Sequence, residues 1–161
     1  MNKNYFQAGE CKCGNCRGAC RSKPGWFHPD QIAPLAAMLG MTEKDLFDQH
    51  LSVDWWDDPN GDTFVLSPRL SSESGGAMFP GNPEGRCHWL TEDGLCAIHD
   101  TGFKPAECQA LTCQSSYDQS HDNHRAMRDA WNTRENQRRI RDLLGEEPVA
   151  NEYFPCSLLP F

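Results

Sequence analysis

The sequence predicts a small, metal-stabilised single domain, mainly α, with one short β-hairpin and long irregular loops. Three observations predict it. Eight of the nine cysteines fall into two groups. Apolar residues recur at helical spacing in three stretches, and the segments between them are rich in Gly, Pro and Ser, with a single hairpin pattern. A chain of 161 residues has room for one such domain. The whole of 1–161 reads as one unit, with a cysteine-bearing core over 11–113, a C-terminal helix over about 121–144 and an apolar tail over 153–161.

In chain order, 11–25 is a Gly/Cys-rich loop, CKCGNCRGACRSKPG. A helix follows, capped by His28-Pro29-Asp30, with Ile32, Leu35, Ala36 and Leu39 on one face and Gly40 at its end. Thr42 with Asp45 forms a capping-box variant that opens a second short helix through Leu51, and the two helices should pack as a hairpin. The stretch 55–62 is turn-rich, Phe64-Val65-Leu66 is a strand candidate, and 71–86 is loop. Residues 87–90 and 95–99 flank Thr91-Glu92-Asp93-Gly94 and predict a β-hairpin with a four-residue loop. In that register Trp89 opposes Cys96, and Cys87 and Cys96 share a face at about 7 Å between α-carbons. Lys104-Pro105 opens a helical turn that carries Cys108. From His121 to Leu144 the pattern is helical, with Gly145 as terminator and six arginines along it.

The formal charge of −8 argues against general binding to nucleic acid, which needs a basic surface. The N-terminal residues carry no apolar h-region, and no stretch approaches the roughly 20 apolar residues of a membrane span. A cytoplasmic location is expected. In that reducing setting nine cysteines, an odd number, argue for metal or redox work rather than a disulfide framework.

The first cysteine group is Cys11, Cys13, Cys16 and Cys20, and the second is Cys87, Cys96, Cys108 and Cys113. Thiolates are the soft ligands that select zinc, Cu(I) and iron–sulfur centres. One Cx2C loop is a weak signal; CxC, Cx2C and Cx3C within ten residues, followed by four further cysteines, is a strong one. All eight are therefore candidate metal ligands. The second group has gaps of eight, eleven and four residues, which is not zinc-ribbon spacing. The dense first group tilts the choice of cofactor toward an iron–sulfur cluster over zinc. One shared centre and two separate centres both fit the spacing.

At these residues the chain resembles the YkgJ-type cysteine-cluster proteins, described as zinc- or iron-chelating domains. Cys13-Gly14-Asn15-Cys16 matches the CGxC of that pattern, Cys87-His88-Trp89-Leu90 its Cx2L, and Gly94-Leu95-Cys96-Ala97-Ile98 the following GxCxI, before Pro105 and Cys108. The departures are Cys11, one residue too close to Cys13; Arg17, which breaks the paired cysteines; and His99, Lys104 and Gln109 in place of Tyr, Arg and Arg. The resemblance spans roughly 11–113 and implies a divergent subgroup that chelates metal. A related group, the flagellin lysine N-methylases, implies that such a module can support catalysis.

The remaining polar residues have plainer readings. His88 and His99 should face away from the hairpin cysteines. His121 and His124, three apart at a helix start, form a candidate metal pair or an ordinary solvated face, and no HExxH motif supports the former. Trp26 and Phe27 should cover the first cysteine loop, and the helix arginines, interleaved with Asp122, Asp129, Glu135 and Asp142, should form a solvated face with i,i+4 ion pairs. Cys156 is a plain thiol in a tail that could dock on a protein partner. No phosphate loop, nucleophile elbow or dinucleotide fingerprint is present. Three roles remain open: a structural centre in a binding or assembly protein, an iron–sulfur redox or methyl-transfer enzyme, and metal storage or delivery.

Overall fold

The structure, a computed structural model, describes residues 18, 20–79, 84–111 and 115–145. Mainly α with a short sheet, as the sequence predicts, it differs in where the strands lie.

Two capped helices open the fold. In α1 (Pro29–Met38), His28 and Gln31 cap each other's backbone reciprocally; in α2 (Glu43–His50), Thr42 and Asp45 do the same. Gly40 takes the left-handed conformation (φ 70°) that ends α1. Ile32, Leu35, Leu46 and Phe47 are fully buried and join the two helices to the core.

The chain passes directly from α2 into β1 (Leu51–Trp56), which pairs antiparallel with β2 (Thr63–Pro68) and parallel with the short β3 (Ala77–Met78). The sheet order is β2-β1-β3, with Val53 opposite Leu66 and Trp55 opposite Phe64. The Phe64-Val65-Leu66 strand stands as expected; its partner β1 begins where the sequence predicts the end of a helix. Residues 51–54 are buried on both faces, so the strand lacks the alternation that marks a half-exposed one.

At the edge of the sheet, β2 is closed by side chains and by a strap. Phe27 N–H donates to Leu66 O at 3.0 Å. The Gln137 side chain, 3% exposed, accepts from Phe64 N–H at 3.2 Å and donates to Phe64 O at 2.8 Å. An open strand edge is thereby covered from within the chain.

The expected hairpin at 87–99 is a compact turn rather than two strands. It holds only an isolated bridge between Leu90 and Cys96, one residue displaced from the predicted opposition of Trp89 and Cys96, and a second bridge joins Leu70 to Cys87. A short 3-10 turn (His99–Thr101) and α3 (Ala106–Ala110) follow.

The single C-terminal helix predicted over 121–144 is two helices, α4 (Tyr117–Trp131) and α5 (Arg134–Leu144). The break has a local cause. Thr133 turns its hydroxyl to the Asn136 N–H as an N-cap, and Gln137 donates to Trp131 O at 2.9 Å, satisfying a carbonyl at the end of α4. Both helices pack on β2, and Met127, Trp131 and Ile140 enter the core. Two arginines act in the tertiary structure rather than on a solvated face. Arg139 bonds Glu43 at 2.8 Å and Pro29 O at 3.0 Å, while Arg128 bonds Asp58 at 3.1 Å and lies over the Trp56 ring.

Candidate metal centre

Four of the eight candidate ligands lie among the described residues: Cys20, Cys87, Cys96 and Cys108, all of them free thiols. Cys11, Cys13, Cys16 and Cys113, as well as Cys156 and the tail over 153–161, lie outside them.

Separate local structures bring the four together. Cys20 sits in a helical turn ahead of the strap 23–28, and its carbonyl accepts the Cys87 N–H at 2.8 Å. Gly85 N–H donates to Ser22 O at 2.8 Å alongside, so the two segments run past each other. Cys87, 8% exposed, is further held by Ser71, whose hydroxyl donates to its carbonyl at 3.2 Å. Cys96 follows the turn closed by Gly94 (φ 76°). Cys108 lies on α3 directly under Gly25, where a β-carbon would stand 2.6 Å from its sulfur. The glycine before Trp26 is therefore the space in which the Cys108 thiol sits.

The electrostatics of the thiols show that they share one region. Burial pushes Cys87 up to about 12; the negative charges that Cys20 and Cys96 would carry push the same way. Burial also raises Cys96, with Cys20 and Asp100 adding to it. Cys108 is raised well above the ordinary thiol value, first by burial, then by Cys20, Glu107 and Cys87. Cys20 is thus common to all three, although the sequence groups it with the N-terminal loop. Opposing these effects, the nearby backbone amides of Trp89 and Leu90 lower Cys87, that of Ile98 lowers Cys96, and the Lys104 charge lowers Cys96 and Cys108. Donors and positive charge near sulfur favour the thiolate. Among the described residues no three His, Cys, Asp or Glu side chains meet in an arrangement that could hold a metal ion. The four thiols share a field without meeting at a single centre.

Beside Cys108 lies a polar network that sequence reasoning missed. Glu107 accepts the Trp26 N–H at 2.7 Å through Oε2 and bonds His124 Nδ1 through Oε1. The His124 ring stacks on Trp26 with centroids 3.6 Å apart and lies 5.1 Å from the Trp56 ring, which His121 also touches at 5.5 Å. Trp26 Nε1–H donates to the buried Asp54 at 2.7 Å, and Lys23 lies 3.7 Å from the same carboxylate. His121 and His124 thus face an aromatic floor, and a carboxylate orients one of them. The spacing of three between the histidines was a visible signal, whereas nothing in the sequence links Glu107 to His124.

The other histidines divide as well. His88 Nε2 lies 2.9 Å from His50 Nδ1, and the His50 ring stacks on Trp89. Burial, then the Arg69 charge, then His50 push His88 down to about 4; burial and Arg69 lower His50. His99 is half-exposed beside Asp100. Among the described residues no helix is long and apolar enough to cross a membrane. Comparison of the chain with protein-family models, with curated proteins and with solved structures found no match.

Proposed function

We propose that this chain is a metal-binding protein that holds zinc or an iron–sulfur cluster through cysteine thiolates. The observation that carries the reading is that Cys20 lies in the field of Cys87, Cys96 and Cys108, three thiols that burial raises. Without a cation, burial and mutual repulsion disfavour the thiolates of Cys87, Cys96 and Cys108. A soft cation supplies the charge that makes several buried thiolates compatible, and its uptake would release protons. The resemblance of the CGxC, Cx2L and GxCxI motifs to the YkgJ-type family supports the same reading. A cytoplasmic setting belongs to it, because the ligands must stay reduced.

The role of the centre has two readings. A closed structural centre suits a binding or assembly protein. An iron–sulfur redox or methyl-transfer enzyme is favoured by one observation: Glu107 and His124, an acid–base pair on an aromatic floor, lie beside Cys108. Metal and acid-labile sulfide content of the anaerobically purified protein, with a visible spectrum, tests both. Iron with sulfide supports the enzyme reading, stoichiometric zinc without sulfide supports the structural one, and protein that takes up neither under reducing conditions overturns the proposal.

A further inference from the structure

We propose that Cys20 and Cys87 form an oxidation site, a thiol pair that a small-molecule disulfide converts into an internal disulfide and so closes the centre to metal. The inference rests on the metal-binding reading for its consequence, not for its chemistry. Its basis is the direct backbone contact between the two residues. Cys87 N–H donates to Cys20 O at 2.8 Å, and the Gly85–Ser22 bond two residues away fixes the same alignment. That bond holds the two residues side by side, the proximity a disulfide needs, since it spans α-carbons about 4.4–6.8 Å apart. Of the four described cysteines, no other two are joined by a backbone hydrogen bond. Cys108 is held under Gly25, and Cys96 follows the far end of the turn 91–94.

Exposure sets the order of events. Cys20 is half-buried and Cys87 is buried, so a reagent in solution reaches Cys20 first. The Cys20 thiolate attacks one sulfur of the small disulfide and releases one thiol, leaving a mixed disulfide on Cys20. Cys87, giving up its proton to the departing thiolate as it reacts, then attacks the Cys20 sulfur and releases the second thiol. Two protein thiols lose two electrons and two protons, and the reagent gains them as it becomes two thiols. The same Cys20 sulfur lies in the field of Cys96 and Cys108 as well as Cys87, so locking it into a disulfide removes the one thiol that all three share.

The test uses the full chain, metal-free and reduced, exposed to oxidised glutathione, then alkylated and cleaved after Arg and Glu. Residues 18–21 and 87–92 are separate products of that digestion, each with one cysteine. The expected result is a linked 18–21/87–92 species, lost on reduction, together with loss of cadmium uptake by the oxidised protein. In Cys87→Ser the second step is blocked, so glutathione should stay on 18–21. Residues 18–21 recovered fully alkylated, or linked to Cys96 or Cys108 instead, would overturn the proposal. Cadmium uptake by the reduced protein is measured separately. Its absence would refute the metal reading, while the linked species still decides whether the pair exists.

Discussion

Glu107 Oε2 accepts the Trp26 backbone N–H at 2.7 Å across 81 positions of sequence, and Trp26 O accepts the Glu107 N–H at 3.3 Å. This reciprocal pair clamps the strap to α3, and the second carboxylate oxygen ties both to His124 on α4. One buried side chain therefore fixes the helix that carries Cys108. Glu107→Ala would leave the Trp26 N–H without its acceptor and free the His124 ring. We expect a loss of about 2–4 kcal/mol in unfolding free energy, read from urea midpoints at unchanged slope. Glu107→Gln retains an acceptor for Trp26 and should lose less. A Glu107→Ala midpoint equal to wild type would show that the clamp contributes nothing.

Gln137 plays a corresponding part at the sheet edge. Its amide makes three bonds, two to Phe64 and one to Trp131 O, from a site 3% exposed. Gln137→Ala would remove three hydrogen bonds to buried backbone, two of them at the edge of β2, at a cost of about 2–4 kcal/mol. Gln137→Glu keeps an acceptor for the Phe64 N–H but no donor for the two carbonyls, and should also destabilise. Amide exchange at Phe64 should quicken most in Gln137→Ala, which has lost the acceptor; exchange as slow as in wild type would show that the Gln137 bond does not protect this amide.

What could be read in the sequence was local. The cap at His28, the Thr42/Asp45 box and the stops at Gly40 and Gly145 depend on neighbours within a turn and are as expected; the reciprocal bond from Gln31 was not foreseen. The β1 strand was not legible, because its both-face burial removes the period that distinguishes a strand from a buried helix end. The break between α4 and α5 left one trace, the lack of apolar residues between Trp131 and Ile140. For the site, the residue types pointed to the thiols, but only the fold moves Cys20 to the second group. The Glu107–His124 and His50–His88 pairs join residues with no sequence relation, so no spacing rule could reveal them.

The His50–His88 pair gives the protein a defined response to acid. His88 lies at about 4 in the folded protein against an ordinary 6.5, and His50 is lowered too. The unfolded chain therefore binds protons on these rings before the folded protein does. Stability from this source is fully present above pH 6.5 and is lost as pH falls toward about 4. Urea midpoints of the metal-free protein across that window should drop more steeply for wild type than for His88→Gln, which cannot take up the proton. Parallel profiles would mean that the pair titrates alike in both states.

Gly25 separates crowding at the candidate centre from general loss of stability. A β-carbon there meets the Cys108 sulfur at 2.6 Å, the Cys108 N at 3.2 Å and Glu107 Oε2 at 3.3 Å. Gly25→Ala must push the thiol aside or displace the strap, costing about 1–3 kcal/mol. Because the displaced atom is a proposed ligand, metal uptake should weaken by more than that stability loss implies. Gly40→Ala is the matched control: its φ of 70° imposes backbone strain, yet nothing lies within 4 Å of the added methyl. It should cost about 1 kcal/mol and leave cadmium binding unchanged. Cadmium titration of the two reduced variants, followed by thiolate-to-metal absorption, gives the comparison. Equal affinities would show that Cys108 is not a ligand, whereas weakening confined to Gly25→Ala would place its sulfur at the metal.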